Sequence, residues 1–134
     1  MTISILDMCL KSFYIRLKNF NKTFVVENVH LDRTFMDFGW GNGYVLIPKG
    51  HRLHGVGYDD IDVSVHGGLT FSNMVDSKMI NKFNLDESDI DFWCIGFDTC
   101  HYEDSLLEWT KERVEEETEK LLLQINLLSL QNLN

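Results

Sequence analysis

Proline is nearly absent: Pro48 is the only one among 134 residues. A chain without proline-rich stretches has no stiff linker, and no internal repeat or flexible spacer divides this one. The expectation is a single domain over residues 1–134. Cysteine is scarce as well. Cys9, Cys94 and Cys100 are odd in number and form no Cys-x-x-Cys pair, which excludes a disulfide framework. Basic residues are outnumbered, 12 Lys and Arg against 21 Asp and Glu, for a net charge of −9. Phosphate backbones are held by Lys and Arg clusters, so general nucleic-acid binding is excluded. A small anionic ligand is not, because a few cations and backbone N–H groups can hold one inside an acidic protein. Long apolar runs are missing too, and none approaches the roughly 20 residues of a membrane span. The first residues, Met-Thr-Ile-Ser-Ile-Leu-Asp-Met-Cys, lack the basic region and small-residue cleavage site of a secretory signal. These absences lead to the expectation of a reduced, cytoplasmic protein with no membrane partner.

What is present is an ordinary core, 44% hydrophobic, and one unusual stretch. Between Gly43 and Ser72 lie three of the five histidines, the clustered Asp59, Asp60 and Asp62, and most of the glycines. Glycines among β-branched residues mark backbone that turns or is closely approached. Histidines and aspartates beside them supply donors, acceptors and metal ligands. The composition is that of a site.

Around this stretch the patterns are readable in order. Residues 1–11 lean weakly to a strand. Ser12–Leu17 and Thr23–Val29 are rich in aromatic and β-branched residues and flank the polar Lys18–Lys22, which predicts a hairpin. Residues 1–38 form this hairpin region, 39–104 the motif-bearing sheet and loops, and 105–134 a C-terminal helix. Gly39-Trp40-Gly41-Asn42-Gly43 predicts a loop presenting an aromatic ring. Tyr44–Ile47 predicts a buried strand stopped by Pro48. Ile61, Val63 and Val65 alternate with Asp62, Ser64 and His66, the period of a strand with one buried face. Ser77–Phe83 predicts a helix, and Phe92–Phe97 a central strand. Ser105-Leu106-Leu107-Glu108 reads as a capping box opening the last helix. Its apolar stripe is Leu107, Val114, Leu121, Ile125 and Leu128, opposite a solvated acidic face of Glu112, Glu115, Glu116, Glu117 and Glu119. The predicted fold is α+β, an antiparallel or mixed β-sheet with the long C-terminal helix packed on one face.

Three constellations carry chemistry. His51, His54, Asp59, Asp60, Asp62 and His66 include ligand types suited to zinc, manganese or iron, but at no recognised metal spacing. The plainer role of the aspartates is to hydrogen-bond backbone N–H groups in a glycine-rich loop. Asp98-Thr99-Cys100-His101 places an Asp three residues before a His, an acid–base or ligand pair. A Cys100–His101 nucleophile is disfavoured, because sequence neighbours seldom face each other productively. Trp40, Tyr44 and Tyr58 are rings on which a nucleobase could stack, with core burial the plainer role for Tyr44. Arg33, Lys49 and Arg52 are the nearest phosphate partners.

Gly43-Tyr44-Val45, Pro48-Lys49-Gly50-His51, Gly55, Tyr58–Val63, Val65-His66-Gly67-Gly68-Leu69-Thr70-Phe71-Ser72 and Trp93-x-Ile95-Gly96-Phe97-Asp98-x-x-His101 together resemble a family of small bacteriophage-encoded proteins. The match covers about residues 39–125. Where that family's pattern runs Cys-Ala-His-x-Gly-Asp, this chain has Thr99-Cys100-His101-Tyr102-Glu103-Asp104. The resemblance implies a counter-defence protein that binds and sequesters a small nucleotide-type immune signal. On that expectation the ligand is met by Trp40, His51, Arg52, Tyr58, Asp59, Asp60, Asp62, His66, Gly67, Gly68 and Thr70. The alternative is a metal-assisted hydrolase of a phosphoester or nucleotide signal. His66, Asp98 and His101 would then be the catalytic groups, and His51, Asp62, His66, Asp98 and His101 the ligands of a divalent metal. A second alternative is a protein–protein inhibitor of a host factor, acting through the acidic helix and its leucine-rich end. That same end leads to the expectation of a homo-oligomer.

Overall fold

The computed structural model describes residues 21–29, 31–34 and 36–130. Strand β2, Gly41–Ile47, is the centre of the fold. Tyr44 and Leu46 point to one face and Val45 and Ile47 to the other, and all four are buried. A strand covered on both sides needs such a near-continuous apolar run. Strand β4, Trp93–Phe97, pairs antiparallel with β2, Val45 opposite Ile95. Strand β1, Lys22–Glu27, takes the other side of β2 with Lys22 opposite Leu46, and β3, Phe71–Met74, pairs with β4. The result is a four-stranded sheet in the order β1-β2-β4-β3, with every neighbouring pair antiparallel.

Helix α1, Ser77–Phe83, starts at Asp76, whose carboxylate accepts the Met79 N–H at 2.9 Å, and ends at Asn84 in the left-handed region. A side-chain cap and a left-handed residue after the last turn are the usual helix punctuation. α1 covers one face of the sheet, where Met79 and Val75 pack with Tyr44, Leu46 and Cys94. Phe24 stacks on Tyr44 at 4.8 Å and Phe83 and Phe71 close the same cluster. The opposite face carries α2, Lys111–Leu130. Val114, Leu121, Leu122 and Ile125 are buried there against Val45, Ile47, Ile95 and Phe97. Each fully buried aliphatic side chain contributes about 1.5–3 kcal/mol, so these two layers dominate the stability. The fold is α+β, with the long C-terminal helix on one sheet face. Among the described residues no helix is long and apolar enough to cross a membrane.

Several expectations are corrected. Gly41, Asn42 and Gly43 belong to β2 rather than to a loop. Gly43 lies against the Thr118 hydroxyl and the Phe97 ring, so there is no room for a Cβ, and glycine is what lets α2 approach the sheet. Residues 61–65 form no ladder strand and His66 already lies in a turn. Gln124 of α2 instead takes both backbone groups of Ser64, accepting its N–H at 2.7 Å and donating to its carbonyl at 2.8 Å. The C-terminal helix does not begin at Ser105. Ser105 Oγ accepts the Glu108 N–H and its carbonyl accepts the Trp109 N–H, which makes a single turn. The Trp109 carbonyl then accepts the Trp40 N–H at 2.8 Å, and the helix restarts under Thr110, whose hydroxyl accepts the Arg113 N–H at 3.2 Å. Leu107 is consequently outside the apolar stripe and 89% exposed, while Leu122 is inside it. The expected first hairpin arm, Ser12–Leu17, and the weak strand over residues 1–11 lie outside the described residues; the second arm is β1.

Candidate metal-binding cleft

The turn after β4 and the turn before β3 bring His66, His101 and Asp104 together. His101 and Asp104 are fixed locally. The Asp104 N–H donates to the His101 carbonyl at 2.9 Å, and Asp104 Oδ2 accepts the His101 N–H at 2.9 Å. The same oxygen lies 2.7 Å from His101 Nδ1, and Asp104 Oδ1 lies 2.8 Å from His66 Nε2. One nearly buried carboxylate thus joins two imidazoles. Burial alone would raise the Asp104 carboxyl, but the His101 N–H and the two imidazoles outweigh it and hold it below the usual carboxylate range.

His66 is positioned from three sides. Its ring lies against Trp109 with centroids 4.1 Å apart and meets His101 edge-on at 5.0 Å. Its backbone N–H donates to Glu117 Oε2 at 2.9 Å, so Glu117 does more than solvate the helix. The chain then turns sharply, with the Gly68 N–H donating to the Val65 carbonyl at 2.8 Å. Gly67 and Gly68 have φ of +69° and +79°, a region favouring glycine. The His101 ring occupies the place that a Gly67 Cβ would take, whereas nothing lies within 4 Å of one at Gly68.

The three side chains open into a cleft of about 500 Å³ that Tyr102, Glu103, Glu108, Trp109 and Arg113 also line. A ligand atom from each of His66, His101 and Asp104 lies within 4.8 Å of the other two. Two imidazoles and a carboxylate are a donor set suited to zinc, manganese or iron. The charge balance fits a cation. Asp104, Glu103 and Glu108 line the cleft against Arg113 alone, and Arg113 lies over the Trp109 ring at 4.1 Å and donates to the Glu108 carbonyl. Asp98 stands behind the site, its Oδ1 3.4 Å from His101 Nε2 and accepting the Cys100 N–H at 3.0 Å.

Of the residues expected to bind ligand, only His66 and Gly67 line this cleft, with Gly68 the next residue along. His51 is structural: Nδ1 accepts the Leu53 N–H at 3.1 Å and Nε2 meets the Ser129 hydroxyl. Burial pushes its pKa down. Arg52 donates to the Leu128 carbonyl at 3.2 Å, near the C-terminus of α2. Tyr58 is anchored by its backbone N–H to Ser72 Oγ, and Asp59, Asp60 and Asp62 are exposed. Thr70 donates its N–H to the Gly96 carbonyl. Trp40 is half-buried beneath Lys111, whose Nζ is 5.7 Å from the ring centre. Of the expected metal ligands, His66 and His101 converge with Asp98 beside them, and His51 and Asp62 do not join the group. Cys100 is a poor nucleophile, its thiol pushed up by desolvation and by Asp98 and Asp104. Sequence reasoning missed Asp104 and Trp109. The signal for Asp104 was its position three residues after His101, the same interval that separates Asp98 from His101.

A larger hollow than this cleft, about 710 Å³, lies elsewhere, between β1 and α2, and is lined by Phe24, Val25 and several glutamates with no histidine or cysteine. No protein-family model matches the chain, and neither a curated protein nor a solved structure is significantly similar to it.

Proposed function

We infer that this protein is a divalent-metal-dependent hydrolase of a small phosphoester, of the nucleotide-signal class that the bacteriophage resemblance implies. The observation that carries the reading is the convergence of His66, His101 and Asp104 within 4.8 Å in an acidic open cleft. A bound divalent cation there would supply Lewis acidity and a water acidified toward neutral pH. The chain's own part is to hold the donors. Glu117 and Trp109 orient His66, and Asp98 faces the second nitrogen of His101. An ionised Asp104 carboxylate can only accept from His66 Nε2 and His101 Nδ1, so a cation taking those nitrogens would release protons. Glu103 and Glu108 are the carboxylates at the cleft able to accept a proton from an attacking water.

Capture without turnover, the sequestration of such a signal, has one observation in its favour. The His66–Asp104–His101 set is already satisfied internally and needs no substrate to complete it. The two readings part on stoichiometry. Purified protein with Mn²⁺ and excess bis(p-nitrophenyl) phosphate or cyclic dinucleotide should release product over many turnovers, and Asp104→Asn should abolish this. Stoichiometric binding with intact ligand recovered on heating would replace the hydrolase by the sequestering protein.

A further inference from the structure

A second hollow adjoins the cleft. It measures about 610 Å³ and is lined by Met36, Asp37, Tyr102, Glu103, Asp104 and Ser105. The residues Tyr102, Glu103 and Asp104 also line the metal cleft, so they form the wall between the two. The tight turn that builds the metal site explains this wall. Because Asp104 N–H closes onto the His101 carbonyl, Tyr102 and Glu103 stand at the tip with their side chains outward. Tyr102 is 93% exposed and Met36 is 62% exposed, among the largest apolar exposures of the described residues. A flat ring and a polarisable thioether beside a site make a surface for a planar aromatic guest.

The polar groups of the hollow restrict that guest. Asp37 Oδ1 accepts the Phe38 and Leu106 N–H groups at 2.9 and 3.3 Å and lies 3.4 Å from Arg33, which fixes the carboxylate in place. The Asp37 side chain is 61% exposed, so its carboxylate is open to a guest. Ionised carboxylates only accept hydrogen bonds, so Asp37 and Glu103 favour N–H donors and disfavour phosphate or carbonyl oxygens. We propose that this hollow is a base subsite that takes a nucleobase carrying an exocyclic amino group, such as adenine, cytosine or guanine. The proposal rests on the hydrolase reading for the other end of the ligand. It sets the ligand's direction: the phosphoester lies on the His66–His101 side of the Tyr102 wall and the base on the Met36 side.

A probe without phosphate separates this claim from the metal site. The experiment follows the Met36 methyl signal by NMR during titration with adenosine, cytidine, uridine and ribose, in wild type and in Tyr102→Ala and Asp37→Asn variants. Tyr102 is so exposed that its truncation leaves the fold intact, and the rest of the spectrum checks this. Adenosine at millimolar concentration should shift the Met36 methyl, and ribose should not. Uridine, which has a carbonyl where cytidine has the amino group and keeps only its ring N3–H as a base donor, should bind roughly tenfold more weakly than cytidine titrated in parallel, the worth of one charge-assisted hydrogen bond. Tyr102→Ala should abolish the shift, and Asp37→Asn should erase the preference over uridine. A Met36 signal unmoved by adenosine, equal response to uridine, or a shift that survives Tyr102→Ala would overturn the proposal. Mn²⁺ added to the same samples reports on His66 and His101, so loss of the metal site and loss of the base subsite register separately.

Discussion

The pair Gly67→Ala and Gly68→Ala isolates the placement of His101. Both glycines have positive φ, +69° and +79°, so each alanine carries the left-handed backbone cost of about 1–2 kcal/mol. Only at position 67 does the new Cβ meet the His101 imidazole; at 68 it meets open space. Displacing that ring breaks the 2.7 Å contact between His101 Nδ1 and Asp104 and leaves a nearly buried carboxylate short of a donor. Losing such a partner costs about 1–3 kcal/mol. Gly68→Ala should therefore lower stability by about 1–2 kcal/mol, and Gly67→Ala by roughly 2–5 kcal/mol in total. In a domain of this size each kcal/mol corresponds to roughly 3–5 °C in melting temperature. Metal affinity should divide more sharply, falling by about 10–100-fold for Gly67→Ala and hardly at all for Gly68→Ala, as expected when a ligand loses its orientation. Thermal melts and Mn²⁺ titration of the two variants are the assay. Equal losses in both measurements would refute the argument, because the His101 ring would then not lie over Gly67.

Further outcomes follow from other parts of the fold. Burial pushes the Cys94 thiol up to about 12, so its thiolate fraction at pH 8 is about 10⁻⁴; native Cys94 should resist iodoacetamide for hours and react at once in denaturant, as read by peptide mass spectrometry. Burial pushes His51 below its ordinary 6.5, so the unfolded chain binds the proton more readily. His51 therefore costs no stability above about pH 6.5, and its penalty grows as the pH falls through that value toward the folded-state pKa. Urea midpoints at pH 7.5 and pH 5 should fall less in His51→Gln than in wild type, and identical falls would contradict this. Gln124→Ala removes both partners of the Ser64 backbone. Exchange of the Ser64 amide should then rise by about tenfold with the β2 and β4 amides unchanged, a loss of about 1–1.5 kcal/mol confined to that segment.

The parts of the fold legible in the sequence were those whose burial is continuous or periodic along the chain. Tyr44–Ile47 and Phe92–Phe97 read as central strands because both of their faces are apolar, and Ser77–Phe83 as a helix; the structure has strands over Gly41–Ile47 and Trp93–Phe97 and a helix over Ser77–Phe83. Val114, Leu121 and Ile125 announced the face of α2 by their spacing. Errors arose where a distant partner decided the local state. Residues 61–66 have a strand's alternation, yet Gln124 and Glu117, some 50–60 residues away, take the hydrogen bonds that a neighbouring strand would have taken. Ser105 has the chemistry of a helix cap, but the Trp109 carbonyl is drawn to the Trp40 N–H, and the helix restarts at Thr110. The site was half legible for the same reason. His66, Asp98 and His101 were visible as chemistry-bearing residues. Asp104 joins the two histidines only through a turn, and Trp109 becomes the wall of His66 only after folding. Trp40, His51, Arg52 and Tyr58 looked equally suitable in sequence, but a stacking ring and a tying imidazole differ only in their neighbours.

The most direct test of the central claim is Mn²⁺ titration followed by the imidazole signals of the histidines. His66 and His101 belong to the converging group, whereas His51 is tied to Ser129 and His54 lies 2.8 Å from the Asp91 carbonyl. One equivalent of Mn²⁺ should broaden the His66 and His101 resonances selectively, and Asp104→Asn should require a much higher concentration for the same effect. Broadening confined to the Glu112, Glu115 and Glu116 face of α2, or no broadening of His66 and His101, would contradict a metal centre at this cleft.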